Sequence, residues 1–234
     1  MLRPIYLQPG DKVALISPSG VATKEQLDAA CSLLTSWELE PVPGQHVLSR
    51  HGRLAGTDEE RLHDLQTALD AEDIRAIWCM AGDYGMLRIV QEADYSIFQG
   101  NPKWVIGMND ITVLHSKLHS LGIESLHAFM PSDYNTTSPE VVTQLRNFLF
   151  GIISSYAIPA HPFNRPGIVE TEMIGGMLQW VHNLHDTCIE RNTRGTILFI
   201  EDPSNDLYEI DRNVECMKSV SYTHLRAHET RSNL

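Results

Sequence analysis

The stretch Trp104-Val-Ile-Gly-Met-Asn-Asp-Ile-Thr-Val-Leu-His-Ser-Lys-Leu-His-Ser-Leu121 changes character in its middle. Trp104 to Met108 is a short apolar run without polar alternation, the mark of a strand buried on both faces. Asp110 to Leu121 reads as a helix. A buried strand that ends at a glycine, turns tightly and enters a helix has the geometry of a nucleophile elbow. There the turn residue stands above the sheet, and the backbone N–H of the next residue can face an oxyanion. The turn residue here is Asn109.

The same strand-then-helix unit recurs on either side. Val13 to Ser17 is a first strand, stopped by Pro18-Ser19-Gly20. A helix over residues 23–37 opens at Thr23 with Gln26 three residues on, a capping-box spacing. Leu39 to Val42 is a second strand. Thr57 caps a helix headed by Asp58, Glu59 and Glu60, with Leu62, Leu65, Ala68 and Leu69 on one face. Ile74 to Met80 is a third strand, followed by a helix from Asp83 to Glu92. Trp104 to Met108 is the fourth and Ser125 to Phe129 the fifth. Strands alternating with helices predict an α/β fold, a parallel sheet covered on both faces.

Beyond this the pattern changes. Asp133 to Pro139 reads as a loop and Pro139 to Leu149 as a helix. Residues 158–167, with three prolines, Asn164 and Gly167, read as a linker. A second unit follows, with a strand at Val169 to Ile174, Gly175-Gly176, a helix over 177–186 and a strand at Thr196 to Ile200. The expected organisation is therefore an N-terminal domain over 1–150, a linker over 151–168 and a partial α/β domain over 169–218. The last part is thin for an independent core. Residues 219–234 resemble a translated sequencing-adaptor read-through, and they are set aside as a non-native tail.

Composition removes several classes of function. The 234 residues are 42% hydrophobic and 21% charged, an ordinary globular balance. No run approaches the roughly 18 apolar residues of a membrane span. The N-terminus lacks a basic-then-apolar signal, so the expected address is cytoplasmic, with no membrane partner. A formal charge of −12 argues against a nucleic-acid partner, which needs a basic stripe. Cys31, Cys79, Cys188 and Cys216 lie far apart without a CxxC pair, so reduced thiols are expected.

Three segments fall where a parallel sheet binds ligands, just beyond strand ends: Ser17 to Gly20, Ala81 to Gly85 and Gly107 to Thr112. Ala81-Gly-Asp-Tyr-Gly85 fits neither GxGxxG nor GxxxxGKS, so it gives little support to a nucleotide or flavin site. Ser17 and Ser19 have no identifiable base nearby and read as loop-capping or substrate-contact residues. His115 with His119 sit at i, i+4, and His182 with His185 form a second pair, neither with an HExxH glutamate. They read as helix faces, and no metal is expected. Arg61 and Arg88 read as ion-paired helix residues.

Several blocks in register resemble the serine LD-carboxypeptidases, the muramoyltetrapeptide carboxypeptidase family that includes the microcin C immunity peptidases. They are Gly10 to Ser19, Ala55 to Arg61, Ile74 to Arg88, Trp104 to His115, His127 to Pro131, and Ile197 to Asp202 with Tyr208 to Arg212. The resemblance implies a flavodoxin-like N-terminal domain, a smaller C-terminal domain, and a Ser-Glu-His triad divided between them. It implies hydrolysis of the L,D-peptide bond to the terminal D-Ala of murein tetrapeptides during cell-wall recycling, by a homodimer, without metal or organic cofactor. Position by position, the nucleophile falls on Asn109 where the family has Ser, and the glutamate on Glu201. The oxyanion donors fall on the backbone of Asp110 and of the Gly82-Asp83 turn. Ala81 stands in place of a family arginine and Asp83 of a glycine, while Met177 and Gln179 replace an Asn and a Ser. A carboxylate at Asp83 disfavours a developing oxyanion unless it turns away. The histidine is expected beyond residue 218, in strands this chain lacks; His224 and His228 lie in the tail and are not candidates. The expectation is a family member without activity; the alternative is a non-catalytic protein that binds murein peptides at the same cleft.

Overall fold

The computed structural model describes residues 1–153, 155, 157, 159–203 and 206–219, so the expected tail from 220 onward lies outside the described residues. The chain divides into two compact units, 1–153 and 154–234.

The first unit contains β1 (Lys12–Ile16), α1 (Lys24–Ser36), β2 (Glu40–Pro43), α2 (Asp58–Asp70), β3 (Ile74–Cys79), α3 (Met86–Ile89) and α4 (Ser96–Gly100). It continues with β4 (Trp104–Gly107), α5 (Thr112–Ser120), β5 (Leu126–His127) and α6 (Pro139–Leu149). The five strands form one sheet in the order β2-β1-β3-β4-β5, every pairing parallel. This is the α/β architecture read from the alternating pattern. The inner strands β3 and β4 are almost wholly buried, which is why they are apolar runs, broken only by Arg75 near the start of β3. Edge strand β2 carries Pro41 and Pro43, which lack the N–H that a further strand would need.

The core is organised around tryptophans. Trp78 and Trp104 are fully buried. Each meets its one polar requirement through the indole N–H, Trp78 donating to the Phe129 carbonyl at 3.0 Å and Trp104 to that of Ile5 at 3.1 Å. Trp37 stacks on Trp78 with ring centres 6.1 Å apart. Helix α1 buries Leu27, Ala30 and Leu34 on one face, and both expected capping boxes form, at Thr23 with Gln26 and at Thr57 with Glu60.

Some elements differ from expectation. Asp83 and Gly85 have φ of 97° and 129°, in the left-handed region that a right-handed helix excludes. The helix expected from Asp83 therefore shortens to α3, and α4 follows as a separate piece. The loop expected after Asp133 is a run of 3-10 helix over Pro131–Thr136, where the Thr136 and Thr137 hydroxyls both donate to the Asp133 carbonyl at 2.9 Å. Strand β5 pairs over two residues only, at the sheet edge.

The second unit contains β6 (Met173–Met177), α7 (Leu178–Asn183), β7 (Ile197–Glu201) and α8 (Leu207–Ser219). Strands β6 and β7 pair in parallel. Gly175 and Gly176 lie inside β6 rather than after the strand. At Gly175 a Cβ would come within 1.7 Å of the Phe199 carbonyl oxygen, so the backbones approach too closely for a side chain. Leu178, Val181 and Met217 form a small core with Leu198, Ile210 and Val214 packed on it. Among the described residues, no helix is long and apolar enough to cross a membrane.

Candidate active site

The order β2-β1-β3-β4-β5 reverses direction between β1 and β3, and such a switch point opens a crevice at the carboxyl ends of the strands. A cleft of about 390 Å³ lies there. Gly20 and Val21 follow β1; Arg50, Gly52 and Arg53 follow β2; Ala81, Gly82 and Asp83 follow β3; Asn109 follows β4; and Met130, Ser132 and Asp133 follow β5.

Asn109 is the turn residue between β4 and α5. Met108 is extended, Asn109 has φ of 59°, and the chain then makes one turn of 3-10 helix over Asn109–Ile111 before α5 begins. Asparagine is among the few side chains that tolerate the left-handed region, so the turn keeps its form with an amide on it. The surrounding glycines are required by close approach. At Gly82 a Cβ would lie 2.7 Å from the Asn109 Cβ, and at Gly20 it would lie 2.1 Å from the Gly82 carbonyl oxygen. At Gly107 it would meet the Ile111 side chain at 2.9 Å, which is how α5 packs so near the end of β4.

Asp110 follows the turn residue, and its side chain points down into the protein. It is fully buried, and a single carboxylate oxygen accepts both the Ser19 hydroxyl at 2.6 Å and the Met86 backbone N–H at 2.7 Å. Among the described residues its other oxygen has no hydrogen-bond partner. Burial raises its pKa above the ordinary aspartate value, and the bonds from Ser19 and Met86 pull the other way. Fully buried Arg61 makes a second tie, donating to the carbonyls of Pro18 at 2.5 Å and Gly85 at 3.0 Å while pairing with Asp58. Arg88 pairs with the same aspartate. Ser17 donates to the Val47 carbonyl at 2.7 Å. The loops after β1, β3 and β4 are therefore cross-linked beneath the cleft, and Ser17 and Ser19 cap loops.

Asp83 turns its carboxylate to the Arg53 guanidinium, with contacts of 3.0 and 3.2 Å, so its charge is neutralised at the rim. His115 is a core residue, with its ring nitrogens 2.8 Å from the Ser125 hydroxyl and 2.9 Å from the Gly107 carbonyl. In the second unit Glu201 ends β7, half-buried and in register with Met177, and Gln179 is exposed on α7. Asn109, Gly82 and Asp83 thus share one cleft with Asp110 beneath it, and Glu201 belongs to the other unit. The ties made by Ser19 and Arg61 span 91 and 43 residues, and no local signal marks them.

A sheet of this order, with a cleft at its switch point and a left-handed residue projecting from the end of β4, defines an α/β protein built to hold a ligand above its strand ends. The chain matches the LD-carboxypeptidase N-terminal domain over residues 13–128 and the LD-carboxypeptidase C-terminal domain over 170–225. It is 32% identical over 222 residues to a probable murein peptide carboxypeptidase of Bacillus subtilis, covering 92% of this chain and 70% of that protein. It is 29% identical to the murein tetrapeptide carboxypeptidase of Pseudomonas aeruginosa, covering 94% of this chain and 76% of that protein. The fold is shared with the crystal structure of muramoyltetrapeptide carboxypeptidase from Oxalobacter formigenes, with a TM-score of 0.82 at 24% identity over 90% of this chain and 72% of that one. This chain belongs to the LD-carboxypeptidase family.

Proposed function

We propose that the cleft at the end of β4 takes murein peptides ending in D-Ala, and that Asn109 stands at the nucleophile position of a serine-type LD-carboxypeptidase. In the parent reaction a serine oxygen attacks the carbonyl of the L,D-peptide bond as a base takes its proton. The tetrahedral intermediate collapses to an acyl-enzyme and D-Ala leaves with that proton; water then releases the shortened peptide. The backbone N–H groups of Asp110 and the Gly82-Asp83 turn are the oxyanion donors. Glu201 orients the histidine, which the family resemblance puts beyond residue 218, outside the described residues. The chemistry belongs to cytoplasmic murein recycling by a homodimer and calls on no cofactor.

With Asn109 in the turn, the first step stops. The amide nitrogen's lone pair is delocalised into its carbonyl, so it forms no useful acyl-enzyme, and the chain as written is inactive. The observation that carries this reading is the left-handed Asn109 turn held against Gly82 at the cleft floor. Arg50 on the rim favours a second reading, a protein that retains murein peptides through their carboxylates without cleaving them.

The test is D-Ala release from a murein tetrapeptide. It uses this chain and its Asn109→Ser variant, each as it stands and each joined to the C-terminal segment of a relative. Turnover is expected only in the joined Asn109→Ser protein, because nucleophile and base act as a unit. Turnover by the Asn109 protein refutes the reading.

A further inference from the structure

The loop after β2 and helix α2 bring together a group of side chains outside the cleft floor: His46, Glu60, His63 and Asp64. One ligand atom from each of His46, His63 and Asp64 lies within 4.8 Å of the others. The His46 and His63 rings meet edge to face, centres 5.5 Å apart. His63 Nδ1 is 3.4 Å from Asp64 Oδ1, and His46 Nδ1 is 3.5 Å from Glu60 Oε1.

Asp64 is the unusual member. It is 4% exposed, and buried carboxylates ordinarily have a cation or a full set of donors. Its Oδ2 accepts the His46 backbone N–H at 2.8 Å, and the backbone of Gly44 packs so near that a Cβ there would lie 2.4 Å from the same oxygen. Among the described residues its ion-pair partner is the His63 imidazole alone, which is charged only when protonated. The loop is thus wrapped around a fixed carboxylate whose second oxygen faces the His63 imidazole.

We propose that His46, His63 and Asp64 bind a divalent transition-metal ion of the zinc class, with Glu60 beside His46. Two imidazole nitrogens and a carboxylate oxygen suit zinc and its neighbours, and disfavour calcium and magnesium, which take oxygen ligands and higher coordination. The ion joins the loop to α2. That loop continues into Arg50, Gly52 and Arg53 of the cleft rim, so the ion fixes the rim rather than the reacting atoms. A second group, His185 with Asp186 and Glu190, is a weaker candidate because its Asp186 is almost fully exposed.

The experiment uses the untagged, chelator-treated chain titrated with Co2+ and with Zn2+. Co2+ coordination is followed by its visible absorption, and Zn2+ affinity by competition with a metal-sensitive dye. One equivalent of strong binding is expected, weakened by at least about 10-fold in His63→Ala and in His46→Ala and unchanged in His185→Ala. His63 is exposed, so its variant leaves the core intact, and circular dichroism checks this. Mg2+ at the same concentrations should leave the Co2+ spectrum unchanged. No strong binding, binding that survives His63→Ala, or binding lost in His185→Ala overturns the proposal.

Discussion

Asp110 is where the cleft is most open to perturbation, because one oxygen of one buried carboxylate ties the loops after β1 and β3 to the elbow after β4. Asp110→Ala removes the acceptor of two short hydrogen bonds and leaves a buried hydroxyl and a buried N–H without it. Bonds to a charged group contribute about 1.5–3 kcal/mol each, and relief of a poorly solvated charge offsets part of that. The expected net loss is about 2–4 kcal/mol, a fall in Tm of about 5–12 °C for a unit of this size. Asp110→Asn behaves differently. Both donors converge on Oδ2, so a single amide oxygen in that place accepts both while the charge disappears, and stability at neutral pH should stay within about 1 kcal/mol of the parent. The sign of the pH effect follows from the raised pKa. The folded state holds the Asp110 proton more tightly than the unfolded chain, so the cost of the buried charge is complete above the folded pKa. It is relieved as pH falls through that value toward the unfolded one near about 3.9. The gap between Asp110→Asn and the parent should therefore move against the variant on acidification. Urea melts at neutral pH and at about pH 4.5, followed by tryptophan fluorescence, measure this directly. An alanine variant as stable as the asparagine variant would refute the role assigned to this carboxylate.

Two further outcomes are expected. Lys103 is buried with its ammonium donating to the Leu69 carbonyl near the end of α2, and burial lowers its pKa to about 8. The unfolded chain holds that proton more tightly, so the cost is complete below about pH 8 and relieved between there and about 10.4. Stability relative to Lys103→Met should rise by about 3 kcal/mol over that window in denaturant titrations, and a flat difference contradicts it. Limited proteolysis should cut between residues 150 and 170, where the described residues have no helix or strand, and leave the first unit whole. Equal protection along the chain goes against it.

The parallel sheet was legible because β1, β3 and β4 are buried on both faces and spelled in apolar runs, charged only at Lys12 and Arg75 near the strand starts, while Thr23 and Thr57 marked helix starts by local hydrogen bonding. What escaped was set by backbone geometry or by distance in sequence. The left-handed Asp83 and Gly85 stop a helix that their neighbours' composition favours; aspartate and glycine tolerate a positive φ, but neither obliges it. Helix α8, absent from the sequence reading, buries little beyond Asn213 and Met217, a faint apolar stripe. At the site, the elbow could be read from Trp104 to Leu121 because strand, turn and helix are contiguous. The Ser19–Asp110 and Arg61–Pro18 ties could not, since only tertiary packing makes those residues neighbours. His46 and Asp64, 18 residues apart, escaped for the same reason.

We propose that residue 109 is the nucleophile position of the cleft, with an amide where the family resemblance implies a serine. The most direct measurement is mass-spectrometric mapping of a serine-directed phosphonylating probe on the Asn109→Ser protein joined to a relative's C-terminal segment, with the Asn109 protein treated in parallel. One adduct per chain is expected, on residue 109 of the serine variant, and none on the parent. Labelling at Ser17, Ser19 or Ser132, or an equal adduct on the Asn109 protein, would contradict it.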